Sequence, residues 1–409
     1  MPAITLPDRS WLDAPATRAL ANALAAGGID FRFVGGAVRD SLLGRPVADI
    51  DLATPARPEG VIEAIRAAGL KAIPTGISHG TVTAVSGGRP FEITTLRRDV
   101  ETDGRRAVVA FTDDWREDAA RRDFTMNALY ADREGRVTDF FGGAEDAHAG
   151  HVRFIGDPAR RIEEDGLRIL RFFRFHAWYG RGAPDAAGLA ACASHARIVD
   201  RLSGERVRTE LFKLLSSPDP GPASRTMEDA GVLAHALPVA SRIGDLERLV
   251  AAESVLGLNP DPVRRLAAVT GPLTPDGVTA LKARLRLANR DEDRLTFFDA
   301  ATDRVALVVE SSFTRALYEA EPQLVLDAAL LACARFGRPD SATLGALIRF
   351  IPTWRPPRFP LKAADLLARG LPPGPAVGDL LARVKAWWIA GNFTADRAEC
   401  LAELGRLLT

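Results

Sequence analysis

The chain has 409 residues, a length that predicts two or more domains, and its 47% apolar and 26% charged residues are typical of a globular protein. Lys plus Arg and Asp plus Glu both number 53, which excludes a global basic field, so a nucleic-acid surface would need local segregation of charge. The three cysteines are widely scattered, which excludes a disulfide framework and fits a reducing cytosol.

The sequence pattern contains no targeting or membrane segment. Residues 1–11 have neither a basic region nor an apolar core, and no stretch approaches the roughly 20 apolar residues of a membrane span. We therefore expect a cytoplasmic protein that does not enter a membrane.

The first elements are predicted in the order helix, strand, glycine turn and helix. Residues 14–26 form a lead-in helix, residues 31–34 an apolar strand and residues 37–43 a second helix. Gly35 and Gly36 separate this strand from the second helix, where paired glycines allow a tight turn and close approach to a ligand. The helix N-terminus behind them offers free N–H groups to a phosphate. An ordinary turn is the alternative.

Two carboxylates follow at Asp49 and Asp51, separated by the apolar Ile50. In a strand this spacing places both carboxylates on one face. They would repel each other unless cations lie between them, and Mg²⁺ with a phosphate substrate is the commonest such case. A solvated acidic pair is the alternative.

The following segment is predicted to complete a small α/β domain with a partly antiparallel sheet. Residues 57–68 have helical periodicity, and strand-like runs follow at 71–77, 81–86 and 91–96. If the last strand lies beside the aspartates, its Glu92 supplies a third carboxylate; otherwise Glu92 faces solvent.

The segment 96–118 is highly charged, and its alternating signs predict a solvated, mobile loop with a turn at Asp103-Gly104. Arg121 and Arg122 come next. Adjacent arginines beside an anionic site could hold a triphosphate, or they could form a surface pair.

From residue 159 onward the sequence predicts helices. Asp165, Arg168, Arg171 and Arg174 are three residues apart, so neighbours in this series would share a helix face. The rest of that helix is apolar, so we expect its arginines to line an internal cleft. A ladder of ion pairs between helices is the alternative.

The later helices carry basic and aromatic residues. One helix after Ser203-Gly204 contains Arg206, Arg208 and Lys213, and a boundary is predicted near residues 218–222. In the last helical segment, Trp387 and Trp388 are predicted to belong to a core.

Five motifs occur in order along the chain: GGAVRDSLLGRPVADIDLAT, TGISHGTVTAV, FEITTLR, RRDFTMNAL and EEDGLRILRFFRF. Together they resemble the class II tRNA nucleotidyltransferases, which include CCA-adding enzymes and bacterial poly(A) polymerases. The resemblance covers roughly residues 30–240, and within this family the chain is most like a bacterial CCA-adding enzyme. It implies an α/β polymerase-β-like nucleotidyltransferase head followed by an all-α neck, body and tail. We assign the head to residues 1–145, the neck to residues 146–220, and the body and tail together to residues 221–409.

The resemblance also implies roles for individual residues. The catalytic carboxylates would be Asp49, Asp51 and Glu92, the first two of which match the metal-binding pair. The nucleotide-binding residues would be Gly36, Arg39, Arg122, Asp165, Arg168, Arg171 and Arg174. Among these, Asp165 and Arg168 match the pair that reads the incoming base. We place the tRNA-binding stripe on the neck at Arg206, Arg208 and Lys213.

The implied reaction transfers CMP and AMP from CTP and ATP to the tRNA 3′-hydroxyl without a nucleic-acid template. Mg²⁺ ions on Asp49 and Asp51 would activate the hydroxyl and stabilise the leaving pyrophosphate. Cytosine and adenine each present an N–H donor beside a ring-nitrogen acceptor, so an Asp and an Arg on one helix would select them. The expected partners are ATP, CTP and the 3′ end and acceptor stem of tRNA, with no protein partner.

Two alternatives stay open. A poly(A) polymerase shares these motifs, although the TGISHGTVTAV pattern and the lack of an arginine-rich insert favour CCA addition. A non-catalytic RNA-binding relative is the second alternative, but it would have no need of both Asp49 and Asp51.

Overall fold

The computed structural model describes residues 4–103 and 106–408, which divide into two compact units, Met1–Leu237 and Pro238–Thr409. The boundary between these units lies between Leu237 and Pro238, later in the chain than the segment 218–222 at which the sequence predicts a boundary. The finer division into head, neck and body stays a prediction. Gly104, in the predicted turn, lies outside the described residues.

The strands all belong to the described part of the first unit. They are β1 Arg32–Val34, β2 Asp51–Thr54, β3 Lys71–Gly76, β4 Thr81–Ser86, β5 Arg89–Thr95, β6 Arg97–Asp103, β7 Arg106–Phe111, β8 Leu129–Ala131 and β9 Val137–Asp139. Seven of them form one sheet in the order β3-β4-β5-β2-β1-β8-β9. Strands β2 and β5 run parallel, and the other neighbours run antiparallel. The predicted partly antiparallel sheet is therefore confirmed.

The prediction of a loop over residues 96–118 is wrong. Strands β6 and β7 pair antiparallel as a separate hairpin, and a helix follows at Trp115–Ala120. The alternating charges of this segment indicated solvent exposure, but they did not indicate backbone conformation. Pairing between the two strands satisfies backbone N–H and C=O groups that a loop would leave to water.

The helices of the first unit are α1 Ser10–Asp13, α2 Pro15–Ala26, α3 Gly36–Leu42, α4 Pro58–Ala67, α5 Trp115–Ala120, α6 Gly143–Ala149, α7 Pro158–Glu164, α8 Leu167–Tyr179, α9 Ala186–Ser194, α10 Gly204–Leu215, α11 Gly221–Asp229 and α12 Leu233–Ala236. Among them, α2, α3 and α4 pack against the sheet, and α7 to α12 pack mainly against one another. The predicted helices and strands up to residue 96 are found within a few residues of their predicted bounds.

Both faces of the sheet are covered, because successive strand residues point to opposite sides. Phe33 and Leu52 pack in a core with residues of α1 to α4. Their neighbours Val34 and Ala53 pack in a second core with Tyr130. Asp51 lies two residues before Ala53, so the pleat directs it toward the face of this second core.

The single helix predicted from residue 159 is two helices. Helix α7 ends at Glu164, and α8 begins at Leu167 after an extended residue, Asp165, and Gly166. Asp and Gly are poor helix formers, and the Asp165 carboxylate accepts a hydrogen bond from the Leu167 N–H at 3.1 Å, as a helix-capping residue does. Asp165 and Arg168 therefore do not belong to one helix.

The described part of the second unit is helical, as predicted. Its helices are α13 Ile243–Val255, α14 Pro262–Thr270, α15 Pro275–Leu285, α16 Asn289–Ser311, α17 Phe313–Glu319, α18 Pro322–Phe336, α19 Ser341–Phe350, α20 Ala363–Leu367, α21 Pro375–Ala390 and α22 Arg397–Leu408. Trp388 is buried among Val384 and Leu404, and Trp387 packs against this cluster, which confirms the predicted core role of both tryptophans. Across the residues that the structure describes, the helices lack the length and apolar character that a membrane span requires.

Gly143→Ala is expected to destabilise the first unit. A Cβ on this first residue of α6 would lie 2.0 Å from the backbone oxygen of Thr125, so the backbone would have to shift. Overpacking of this kind costs about 1–3 kcal/mol, and occasionally more. Urea denaturation measures the effect.

Gly60→Ala in α4 is the matched control, because a Cβ there would contact nothing within 4 Å. It should stabilise the protein by about 0.4–1 kcal/mol through the unfolded state. Equal stability of the two variants would contradict the close approach at Gly143.

Candidate active site

One cavity of about 490 Å³ collects most of the predicted site residues. Its lining consists of Gly35, Gly36, Arg39, Asp40, Ala48, Asp49, Asp51, Arg122, Asp123, Asn127, Asp165, Arg168, Arg171 and Phe175. Glu92 and Arg174 are the predicted catalytic and nucleotide-binding residues that do not line it. A larger cavity, of about 770 Å³, lies in the second unit and contains none of the predicted residues.

The acidic side of the cavity is formed where β2 begins. Asp51 is the first residue of β2, whereas Asp49 precedes the strand, so the prediction that both lie in a strand is wrong for Asp49. Their exposed side chains nevertheless flank the buried Ile50, as the spacing predicts. In the parallel pair of β2 and β5, Glu92 lies in register with Asp51.

The charge around Asp51 favours a cation. Desolvation by the surrounding protein and the neighbouring Glu92 and Asp49 carboxylates raise the pKa of Asp51 to about 6, although Arg122 acts in the opposite direction. Among the described residues, no group of three His, Cys, Asp or Glu side chains forms a complete metal site. Two carboxylates with the remaining ligands supplied by phosphate and water are the usual environment of Mg²⁺, so the residues fit that ion.

The glycine turn and Arg122 form the neighbouring wall. Gly35 has φ 71°, a conformation that only glycine adopts readily, and α3 begins at Gly36 with its first N–H groups free of helical partners. The Arg122 guanidinium lies beside Gly35 and donates hydrogen bonds to the buried Asp118 at 3.1 Å and Tyr130 at 3.2 Å. These bonds hold a positive charge next to the turn.

The arginines of α8 line the cavity and are also paired. Arg171 forms an ion pair with Asp123 at 2.6 Å. Burial opposes ionisation of Asp123, but the Arg171 guanidinium holds the pKa of Asp123 below its ordinary value, so the pair stays charged. Arg168 donates to the Glu164 carboxylate and to the backbone oxygen of Arg121 at 3.1 Å. The predicted cleft and the alternative of ion pairs are thus found together.

Two predicted binding residues are directed elsewhere. Arg174 forms an ion pair with the buried Glu210 at 2.6 Å and does not reach the cavity. Arg206, predicted to bind RNA, donates to both carboxylate oxygens of Asp165 at 2.9 and 2.8 Å. On the same helix, α10, Lys213 is exposed and Arg208 is half-buried. Arg206 therefore lies beside the cavity, and the predicted RNA-binding stripe of Arg206, Arg208 and Lys213 stays a prediction.

Five residues of the cavity were not predicted, namely Asp40, Ala48, Asp123, Asn127 and Phe175. The sequence contained a signal for three of them. Asp40 follows Arg39 directly, and Asp123 and Asn127 lie in the RRDFTMNAL motif that already marked Arg122. Phe175 carried no such signal, because the apolar residues of α8 were all assigned to packing.

Asp51→Asn is expected to raise the melting temperature of the metal-free protein at about pH 8 and to leave it unchanged at about pH 4. The folded-state pKa of Asp51 is raised, so its ionisation weakens the fold, and this cost grows as the pH rises from the unfolded pKa through about 6. Because the side chain is exposed to water, screening reduces the effect to roughly 1 kcal/mol. Calorimetry at both pH values measures it.

Asp13→Asn, at an exposed position in α1, is the control and should change neither melting temperature. Addition of Mg²⁺ should stabilise the unmodified protein but not the Asp51→Asn variant. A lower melting temperature of Asp51→Asn at the higher pH would contradict the proposed electrostatic cost.

Comparisons with known proteins identify the family of the chain. A family model described as the poly A polymerase head domain matches residues 31–153, and one described as the "Probable RNA and SrmB- binding site of polymerase A" matches residues 185–243. The chain is 34% identical over 390 residues to human "CCA tRNA nucleotidyltransferase 1, mitochondrial", covering 91% of this chain and 86% of that protein.

Two bacterial proteins extend the comparison. The CCA-adding enzyme of Limosilactobacillus fermentum is 31% identical, with 96% of each chain covered. The crystal structure of the Bacillus stearothermophilus CCA-adding enzyme in complex with CTP matches with a TM-score of 0.79 at 29% identity, covering 96% of this chain and 98% of that chain. The chain therefore belongs to the family of CCA-adding tRNA nucleotidyltransferases.

Proposed function

We propose that this protein completes the 3′ end of tRNA by transferring CMP and AMP from CTP and ATP, with release of pyrophosphate. The observation that carries the proposal is the single cavity that joins two exposed aspartates, a glycine turn and the arginines of α8. The relatives reported above are named for CCA addition, which favours this activity over poly(A) synthesis. Retention of both Asp49 and Asp51 disfavours a non-catalytic RNA-binding role.

The triphosphate would lie between the glycine turn and the guanidinium groups of Arg122 and Arg171. Free N–H groups at the start of α3 and two fixed cations suit a polyanion. Asp118 holds Arg122 and Asp123 holds Arg171, so these cations need little reorganisation when the nucleotide enters.

The metal would be held by Asp49 and Asp51, with Glu92 in register beside them, and we propose Mg²⁺ because its ligands are carboxylate, phosphate and water oxygens. When bound there, Mg²⁺ would supply Lewis-acid activation of the 3′-hydroxyl and stabilisation of the leaving pyrophosphate.

The base would be selected by Asp165 and Arg168. The Asp165 carboxylate has about four acceptor sites, and Arg206 and the Leu167 N–H occupy three of them, which leaves one for an exocyclic amine. The hydrogen bonds of Arg168 to Arg161, Glu164 and Arg121 leave donors for the ring nitrogen. Cytosine and adenine match this donor and acceptor pair, whereas uracil and guanine present the reverse.

The tRNA would approach along α10, with Arg206, Arg208 and Lys213 as contacts to the acceptor stem. We also place the protein in the cytoplasm, which fits the three free cysteines. In this proposal the second unit contributes further to tRNA binding, in accordance with our assignment of residues 221–409 to body and tail.

Asp49→Ala and Asp51→Ala should each lower nucleotide addition by at least about 100-fold, because loss of one transition-state partner has effects of that size. The assay offers purified protein a tRNA that ends before CCA, with each labelled nucleoside triphosphate, and measures product length. Addition of CCA and then arrest supports the proposal, whereas a long adenylate tail would support a poly(A) polymerase.

Asp13→Ala is the control for this assay and should retain full activity. Circular dichroism and tRNA binding should be unchanged in the two active-site variants. Near-normal turnover of either of them would contradict the assignment of the metal site.

Asp165→Ala and Arg168→Ala should change which nucleotide is added. Each variant removes one hydrogen-bonding partner of the base, a loss of about 1–3 kcal/mol for CTP and ATP. UTP and GTP gain relative to them, because a wrong base no longer leaves a buried group unpaired. Measurement of kcat/KM for all four triphosphates tests this.

The melting temperatures of both variants separate recognition from scaffolding. If α8 and the break before it serve only as a scaffold, the melting temperature falls and the preference among the four nucleotides is preserved. That result would contradict base selection by Asp165 and Arg168.

A further inference from the structure

Most N–H donors of the Arg39 guanidinium bind other residues of the protein, although the resemblance implies that Arg39 binds phosphate. It donates to both carboxylate oxygens of Asp40 at 3.0 and 3.1 Å, to the Tyr179 hydroxyl at 2.6 Å and to the Asn127 side-chain oxygen. These four hydrogen bonds use four of the five N–H donors of the guanidinium. The side chain of Arg39 is only 7% exposed. One donor is therefore left for a phosphate, and the remaining contacts hold the surrounding elements together.

Tyr179 is the last residue of α8, and two cations from the α3 side pack on its ring. The guanidinium carbons of Arg39 and Arg45 lie 4.1 and 4.6 Å from the ring centroid. Arg45 also donates to the backbone oxygen of Trp178 at 2.8 Å. The C-terminal end of α8 is thereby attached to the helix that begins at the glycine turn.

The Tyr179 hydroxyl has a partner on each side. It accepts from Arg39 and also hydrogen-bonds the Asp40 carboxylate. Burial and Asp40 raise the pKa of Tyr179, so its hydroxyl keeps the proton that this second bond requires. Both contacts of the hydroxyl are lost when Tyr is replaced by Phe, whereas the ring remains.

Helix α8 is also fixed near its start, where Arg168 donates to the backbone oxygen of Arg121. Between these two attachments α8 presents Arg168, Arg171 and Phe175 to the cavity. The ion pair of Arg171 with Asp123 holds the middle of α8, and the contact between Tyr179 and Arg39 ties its C-terminal end directly to the helix of the glycine turn. The distance from the glycine turn to the base-selecting residues consequently depends on the contact between Tyr179 and Arg39 as well. A ligand that occupies both subsites depends on that distance, while a ligand of one subsite does not.

We propose that Tyr179 is a positioning residue that holds α8 at a set distance from the glycine turn. The phosphates and the base of one nucleotide can then be bound at the same time. The inference rests on the proposed function for the identity of the two subsites. It assigns to Tyr179 no contact with the nucleotide.

Tyr179→Phe tests the proposal by equilibrium binding of two probes, CTP and inorganic tripolyphosphate, to the full chain with Mg²⁺ and without tRNA. Loss of hydrogen bonds to charged groups should weaken CTP binding by about tenfold. Tripolyphosphate reports on the phosphate subsite alone, and its Kd should change by less than about twofold. Isothermal titration calorimetry measures both.

Tyr318→Phe is the matched control, because that tyrosine lies in the aromatic cluster of the second unit. It should alter neither Kd. Arg45→Ala removes the second contact at the C-terminal end of α8 and leaves Arg39 in place. It should also weaken CTP binding more than tripolyphosphate binding.

Equal weakening of both probes by Tyr179→Phe would overturn the proposal, since Tyr179 would then act only through Arg39 at the phosphate subsite. An unchanged CTP Kd would also overturn it, as would an unmodified protein that binds CTP but not tripolyphosphate. Failure of the unmodified protein to extend tRNA would instead refute the proposed function, and the two failures are therefore distinguishable.

Discussion

The ion pair between Asp123 and Arg171 is the contact on which the cavity depends. It joins the segment after α5 to the middle of α8, and Asp123 is buried. Removal of one partner from such a pair leaves an uncompensated buried charge, which typically costs about 3–5 kcal/mol. Helix α8 therefore cannot move away from this segment without a large penalty. Arg161 and Arg168 strengthen the same junction by donating to the backbone oxygen of Arg121.

Two charged residues of α10, Arg206 and Glu210, hold the side chains that surround the Asp123–Arg171 ion pair. Arg206 and Glu210 are four residues apart, so they lie on one face of that helix. Arg206 holds the Asp165 carboxylate, and Glu210 holds Arg174 and lies 3.7 Å from Arg171. The side chains that would meet a nucleotide are thus oriented before it binds. This order lowers the entropy lost on binding and is a condition for selecting a base by two side chains alone.

On the acidic side of the cavity, in contrast, the charges are not compensated by paired side chains of the described residues. Asp49, Asp51 and Glu92 place negative charge together, and desolvation together with the two neighbouring carboxylates raises the pKa of Asp51. Such an arrangement opposes stability and is retained where function requires it. The arginine side is internally compensated, whereas the carboxylate side needs a cation from solution. The arginine side is therefore already formed before a ligand binds, whereas the carboxylate side would be completed only when the metal binds.

The sequence by itself determined most of the local elements, the glycine turn and the candidate residues of the site, because periodicity, turn composition and motif spacing act over a few neighbouring residues. Only the tertiary structure decided which charge faces which. Arg174 is directed to Glu210 and Arg206 to Asp165, although both were predicted to bind ligands. Helical spacing shows which residues share a face, but the partner of each face comes from elements distant in the chain. The contact between Arg39 and Tyr179, 140 residues apart, arises only when the chain has folded.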